Sequence, residues 1–254
     1  MRNLLDHTNK NVVITGVSGQ IGQTLALNYL NLGANVFGID IQPSTQIEHN
    51  GRFYFYKVDV ADHDAVKEVF QIIRDGHGEL DVLINNAGAQ DFSHFRDRTE
   101  KVLDLIFATN VKAVFNCIES FVNNTSKNRI SRSIVNVASI YGLVSPDFRV
   151  YDVGDRRSSE IYGITKAGVV QMTKYFAVAL AAENIRVNCV SPGGVFNPIN
   201  PQNKRFIAEY SKRVPLARMA TAQEIVNAVV FLSSTAASYV NGHNLIVDGG
   251  YTVL

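Results

Sequence analysis

Tyr162 and Lys166 stand four residues apart in the segment Tyr-Gly-Ile-Thr-Lys. On a helix, that spacing puts phenol and ammonium on one face, one turn apart. An ammonium beside a phenol favours the phenolate, so the pair predicts a tyrosine whose pKa falls from about 10 toward neutral pH. Such a tyrosine can give and take a proton within one reaction. A Y-x-x-x-K pair also arises by chance, and Tyr162 alone reads equally as a packing residue. Its weight here comes from a glycine-rich turn near the start of the chain.

That turn is Thr15-Gly16-Val17-Ser18-Gly19-Gln20-Ile21-Gly22. It follows a short apolar run and opens an amphipathic one, the setting in which glycines let a backbone approach a pyrophosphate at a helix N-terminus. Gly16, Ser18, Gly19, Gln20, Ile21 and Gly22 are therefore candidate cofactor contacts. Asp40, with Ile41 after it, lies eighteen residues beyond Gly22. A carboxylate there can accept hydrogen bonds from ribose hydroxyls and repels a 2′-phosphate. Neither the turn nor the four residues after Asp40 hold an arginine or lysine, so NAD(H) is expected over NADP(H). The plainer reading of Asp40 is a strand end in solvent.

The elements that must position these groups alternate along the chain. Apolar runs at 11–15, 35–41, 52–58, 81–85, 133–138, 186–191 and 244–247 read as strands. Most are nearly continuous Val, Ile and Leu, as in parallel strands covered on both faces. Helical patterns occupy 21–32, 65–74, 100–123, 159–183 and 222–233, with Gly33 placed for a left-handed C-cap. The alternation predicts an α/β fold, a single Rossmann domain over 1–254 with a doubly wound, seven-stranded parallel sheet. Two long loops, at about 141–160 and 194–214, should carry substrate contacts.

Composition agrees with one large globular domain: 254 residues, 46% hydrophobic and 19% charged. A net charge of +1 leaves no nucleic-acid footprint. No apolar run looks long enough to cross a bilayer, and the polar N-terminus lacks a signal peptide's apolar core. Cys117 and Cys189 read as buried, reduced thiols, and a cytoplasmic location is expected. The histidines (His7, His49, His63, His77, His94, His243) show no metal-ligand spacing, so no metal is expected.

With these landmarks in order, the chain resembles the short-chain dehydrogenase/reductase family from residue 10 to its C-terminus. Besides the turn and the Tyr-Lys pair, it carries Asp59-Val60, Asn85-Asn86-Ala87-Gly88, Asn110 in Thr-Asn-Val, Ser139, Pro192-Gly193 and Asp248-Gly249-Gly250. The resemblance implies a catalytic set of Asn110, Ser139, Tyr162 and Lys166. Tyr162 would be the general acid or base and Ser139 would stabilise charge on the substrate oxygen. Lys166 would lower the tyrosine pKa and hold the nicotinamide ribose, and Asn110, in a kinked helix, would hold a relay water. It implies further cofactor contacts from Asp59, Val60, Asn86, Ala87, Gly88, Pro192, Gly193, Val195 and Asn197. It also implies a homotetramer or homodimer built on the two long helices, where Phe115, Phe121, Tyr175 and Phe176 serve core or subunit packing.

The chain departs from the family pattern at three points. Gln20 stands where glycine is common, so its side chain must point away from the pyrophosphate. Asn197 replaces a threonine. The 23-residue gap from Ser139 to Tyr162 is much longer than in simple members. The inserted residues include Pro146-Asp147-Phe148-Arg149-Val150-Tyr151 and Asp155-Arg156-Arg157. They should wall the substrate site, and their charge points to a polar substrate, a sugar or an anion met by arginine, unless they form a solvated loop or subunit contact. Lys204-Arg205 and Lys212-Arg213 read as the solvated face of a lid helix. The expected activity is NAD(H)-dependent interconversion of a secondary alcohol and a ketone on a small polar or sugar-like molecule. A weaker likeness in Ser-Ile-Tyr-Gly, Pro-Asp-Phe and Val-Asp-Gly-Gly-Tyr-Thr points to flagellin-glycan or nonulosonate sugar pathways. The alternatives are a 3-oxoacyl carrier-protein reductase, a sugar-nucleotide epimerase or lyase, and a non-enzymatic dinucleotide sensor.

Overall fold

Seven strands form one parallel sheet in the order β3-β2-β1-β4-β5-β6-β7. They are β1 (Asn11–Thr15), β2 (Asn35–Asp40), β3 (Phe53–Lys57), β4 (Val82–Asn85), β5 (Arg132–Val137), β6 (Ile185–Pro192) and β7 (Asn244–Val247). The helices are α1 (Gln20–Asn31), α2 (His63–His77), α3 (Glu100–Phe107), α4 (Ala113–Asn123), α5 (Glu160–Ala179), α6 (Lys204–Ser211) and α7 (Ala222–Ser233). The structure is a computed structural model and describes residues 4–43, 47, 51–126, 131–151 and 157–254. His49 and the inserted Asp155 and Arg156 lie outside the described residues.

The strand pleat decides the layers. Val12 and Ile14 of β1 point to one face, with Val82, Ile84 and Val135, where Leu25 and Tyr29 of α1 and Ile225 and Val229 of α7 cover them. Val13 points to the other, with Leu83, Ile134 and Val187, against Phe70 of α2, Ile118 and Phe121 of α4 and Val169 of α5. Each such side chain, fully withdrawn from water, stabilises the fold by roughly 1.5–3 kcal/mol. All these strand residues are buried because both faces are roofed, which explains the unbroken apolar runs.

The helical stretch 100–123 is not one regular helix. A π-turn at Ala108–Lys112 separates α3 from α4 and carries the buried Asn110 at its centre. A π-turn thus stands where the helix carrying Asn110 is expected to kink. The expectation that no run could cross a bilayer needs correction, because Glu100–Asn123 is long and apolar enough by length and composition. Half of it is buried here, with Ile118 and Phe121 packed under the sheet, so its apolarity belongs to the core. Helices α2, α3, α5, α6 and α7 each begin on a side-chain cap, the last with a full capping box from Thr221 and Glu224. At α1, by contrast, the Gly19 N-cap has no side chain to satisfy the first amides.

The N-terminal segment is stapled to both helices of one layer by a buried histidine. His7 Nδ1–H donates to the Leu5 carbonyl at 2.8 Å, and its Nε2 lies 3.0 Å from Ser233 Oγ. The Tyr29 hydroxyl meets the same Ser233 oxygen at 2.7 Å, and its ring stands edge-on to the imidazole. Burial, aided by Lys10, pushes the His7 pKa down to about 4. The sign follows from linkage. Below pH 6.5 the unfolded chain binds a proton that the folded one refuses until about pH 4, so stability is full above 6.5 and falls across that window. The loss amounts to about 3 kcal/mol. In urea titrations at pH 7 and pH 4, the stability difference between the wild type and His7→Gln should shrink by that amount. An unchanged difference would assign acid sensitivity elsewhere.

Candidate active site

The order of pairing makes the cleft. β1 pairs in parallel with β2 on one side and β4 on the other, so the chain leaves β1 and β4 toward opposite faces and a crevice opens at their carboxyl ends. A cleft of about 1090 Å³ occupies that position. It is lined by Gly16, Ser18, Gly19, Gln20, Ile21, Asp40 and Ile41 at one end and by Ser139, Tyr162 and Lys166 toward the other. Asn86, Ala87, Gly88, Pro192, Gly193, Val195 and Asn197 line it between them. Gly22, Asp59, Val60 and Asn110 are not part of this lining. Asp59 Oδ1 instead accepts the Ala61 N–H at 2.9 Å, and Val60 packs into the core beneath α2 and α4.

The glycine turn is compact for a steric reason. A Cβ on Gly22 would lie 2.1 Å from the Gly16 carbonyl, so α1 can close on β1 only with glycine there. A Cβ on Gly19 would make only an ordinary contact with the Gly16 oxygen. Its bareness therefore serves the cleft rather than packing, as a group that must meet free helix amides requires. Asn86 locks the turn to β4, its Nδ2–H donating to the Gly16 carbonyl at 2.9 Å and the Thr15 carbonyl at 3.1 Å. Gln20 reaches away from the turn and donates to the Phe196 carbonyl at 2.6 Å, tying the start of α1 to the loop after β6. Asp40 accepts the Ser18 N–H and the Gln42 N–H, both at 3.0 Å, which fixes its carboxylate at the mouth beside the turn. The end of this cleft, with bare amides, a bare glycine and an adjacent carboxylate, fits the adenosine diphosphate half of a nicotinamide dinucleotide.

The proton-handling end depends on a close approach of two backbone segments. A Cβ on Gly142 would strike the backbone of Lys166 and Ala167 at 2.7 Å, and one on Gly163 would strike the Tyr141 carbonyl at 2.7 Å. The turn after β5 and the start of α5 thus interlock through two missing side chains, which sets Ser139 opposite Tyr162. Ser139 Oγ accepts the Tyr141 N–H at 3.1 Å, and its own hydrogen is turned to the Tyr162 phenol. Lys166 is buried and its Nζ donates to the Val137 carbonyl at 2.8 Å, 5.6 Å from the Tyr162 ring centre. Burial draws its pKa down to about 8.

The lowered tyrosine pKa expected from the Tyr-Lys spacing is not what this structure has. Burial raises the Tyr162 phenol above its ordinary value, while the side chains of Gln90 and Ser139 pull against that rise. The helix does bring ring and ammonium together. The ammonium, however, hydrogen-bonds a main-chain carbonyl and lies over the ring rather than at the hydroxyl, so desolvation wins. Asn110 likewise spends its side chain on protein. It donates to the Ala89 carbonyl and Thr165 Oγ1, both at 3.0 Å, and accepts the Ala89 N–H at 2.7 Å.

Among the described residues of the insertion, Arg149 and Arg157 do not line the cleft. Asp147 takes both Arg149 and Arg213, at 2.9 and 2.6 Å, and joins the insertion to the residues after α6. Arg157 sits over the Phe148 ring. An anion met by Arg149 or Arg157 is therefore not supported. Part of the lid helix's basic run is engaged too, since Lys212 and Arg213 both pair with Glu209. The insertion and the lid do contribute walls, through Tyr141, Tyr151 and Ser158 and through Phe206 and Tyr210. Phe206, Tyr210 and Tyr251 stack in series, and the Tyr210 hydroxyl accepts the Gly194 N–H at 2.7 Å. Sequence reasoning missed these aromatics and Gln90. Gln90 had a readable signal, since it lies two residues past Gly88 at the carboxyl end of a central strand.

Comparison with known proteins agrees with this fold. The sequence model of a family described as enoyl-(acyl carrier protein) reductase matches residues 16–252. A 3-oxoacyl-[acyl-carrier-protein] reductase of Chlamydia pneumoniae is 32% identical over 251 residues, covering 96% of this chain and 97% of the relative. A short-chain dehydrogenase from Leptospira borgpetersenii, solved with bound NAD+, superposes with a TM-score of 0.91 at 35% identity, covering 99% of this chain and 96% of that one. A gluconate 5-dehydrogenase from Burkholderia cenocepacia, in complex with NADP and tartrate, gives a TM-score of 0.87 at 25% identity, with 99% and 98% covered.

Proposed function

The chain belongs to the short-chain dehydrogenase/reductase family of oxidoreductases, and we propose that it interconverts a secondary alcohol and a ketone on a polar, sugar-like small molecule with NAD(H). The observation that carries this reading is the convergence of Ser139, Tyr162 and Lys166 on the cleft whose other end is the glycine turn. The bound nicotinamide would give or take the hydride. Gly16, Gly19 and the first amides of α1 would hold its diphosphate, Asp40 its adenosine ribose, and Asn86, Ala87, Gly88, Pro192, Gly193, Val195 and Asn197 the remainder. Asp59 and Val60 would bound the adenine.

Chemistry at the other end needs a proton at one atom. Tyr162 Oη gives it to the substrate oxygen in reduction and receives it in oxidation. Ser139 would turn its hydroxyl hydrogen from the phenol to that oxygen as charge develops there. A buried phenol with a raised pKa is protonated at neutral pH, which favours it as the donor for ketone reduction. Lys166, drawn down to about 8, sits where a change in its own proton is felt by the phenol. Asn110 holds the loop after β4 against α5. The neutral amides Gln90, Asn197, Asn200 and Gln202 and the Tyr151 and Tyr210 hydroxyls support a polar, uncharged substrate. A 3-oxoacyl thioester is the second reading, favoured by the Chlamydia pneumoniae relative.

The chain is also proposed to work as a homotetramer or homodimer, at a cytoplasmic location and without nucleic-acid or membrane partners. Tyr175 and Val178 of α5 are 67% and 81% exposed, and Phe115 on α4 lies exposed beside Phe176. Unpaired apolar faces of this kind mark association.

Three measurements test the reading. NADH consumption should be followed with a panel of keto sugars and acetoacetyl thioesters, and Tyr162→Phe should lower the rate at least about a hundredfold. Full retention of rate would remove the catalytic assignment. Asp40→Ala should raise the KM for NADH and lower that for NADPH, and an unchanged ratio would dismiss the carboxylate as the selector. Tyr175→Lys combined with Val178→Lys should reduce the mass found by light scattering to that of a smaller species, and an unchanged mass would move the interface elsewhere.

A further inference from the structure

Two independent bridges join the loop after β4 to the helix that carries Tyr162, and Gln90 lies between them. On one side Asn110 grips both the N–H and the carbonyl of Ala89 and reaches Thr165 Oγ1, whose hydroxyl donates to the Tyr162 carbonyl at 2.9 Å. On the other, Arg98 pairs with Asp91 and forks onto Glu160 at 2.9 and 3.0 Å. The Arg98 side chain is only 2% exposed, and a buried guanidinium held at several points fixes position rather than merely screening charge. Glu160 stands two residues before Tyr162 and Thr165 three after it. The residues either side of Gln90 are therefore fastened to the turns of α5 either side of Tyr162. Solubility asks for no such double clamp on a loop tip.

Its result is that the Gln90 side chain faces the phenol in the same cleft as Ser139. We propose that Gln90 is a further catalytic residue, its amide N–H donating to Tyr162 Oη as the proton leaves, and that Arg98 is the positioning residue that keeps it there. The step moves no bond in Gln90. The proton passes from Oη to the substrate oxygen, and the amide dipole takes up part of the charge left on the phenolate. Around the phenol, Lys166 on its own helix is the titratable neighbour, Tyr141 lies on the adjoining turn, and in the clamp the Arg98 guanidinium pairs with two carboxylates, Asp91 and Glu160, leaving one negative charge. The proposal rests on Tyr162 being the proton-transferring group, and its test needs no substrate.

The full chain is labelled with ¹³Cζ-tyrosine, Tyr162→Phe identifies the resonance of interest, and that resonance is titrated from pH 7 to 11. Gln90→Leu should move its midpoint up and Gln90→Lys should move it down, each by about one unit, the effect of losing one hydrogen bond or gaining one charge. Arg98→Met should act in the direction of Gln90→Leu, and Arg98→Lys should restore part of the shift. Melting curves report whether the Arg98 variants fold, and the Gln90 pair decides the question if they do not. A Tyr162 resonance that behaves as in wild type in both Gln90 variants, including failure to titrate by pH 11, overturns the proposal. Absence of turnover across the ketone panel, with these shifts present, would count against the proposed substrate class and leave Gln90's role standing.

Discussion

The molecule's chemistry depends on one geometric constraint: β1 is paired in parallel on both sides. A parallel strand needs a helical crossover, and right-handed crossovers from β1 and β4 must leave on opposite faces. The divergence opens a crevice with helix N-termini pointing into it. Gly16, Asp40, Gly88, Ser139 and Gly193 then sit at carboxyl ends of strands, and α5 brings Tyr162 and Lys166 to the same edge. Two glycine contacts, between the turn after β5 and the first residues of α5, convert that edge into a fixed distance between a hydroxyl and a phenol.

Burial and charge compete at that point. A tyrosine and a lysine one turn apart could form a stabilised phenolate, yet both are drawn toward their neutral forms by desolvation. The neutral phenol is a donor poised for use rather than a spent base. The polar neighbours of its oxygen oppose desolvation without adding a net charge to the cavity, so the site remains one in which a developing negative charge is felt strongly.

Much of this was legible in the sequence because it rests on local rules. Unbroken runs such as Val-Val-Ile and Val-Leu-Ile announce strands roofed on both faces, and β1 and β7 coincide with their expected bounds. The glycine turn and the strand-end residues are readable for the same reason, since topology puts them on one edge. Three things were not legible. The phenol's direction of shift depends on which atom the ammonium hydrogen-bonds, a tertiary fact. Asp147 of the insertion pairs with Arg149 beside it and with Arg213 beyond α6, and nothing local in the sequence reveals the second pairing. In the lid stack, the i, i+4 spacing on α6 joins Phe206 to Tyr210, but nothing local joins them to Tyr251, which lies beyond β7.

The π-turn at Ala108–Lys112 has one more consequence. A widened turn holds one residue more than a regular helix would and takes it up within a single revolution. Deleting a single amino acid there would heal the helix into regular turns and leave α4 close to its present phase. Ile118 and Phe121 would stay against the sheet while Asn110 lost its seat against Ala89. The surplus residue thus serves the placement of Asn110 and not the hydrophobic phase of α4, so its loss would spare the core and fall on the site.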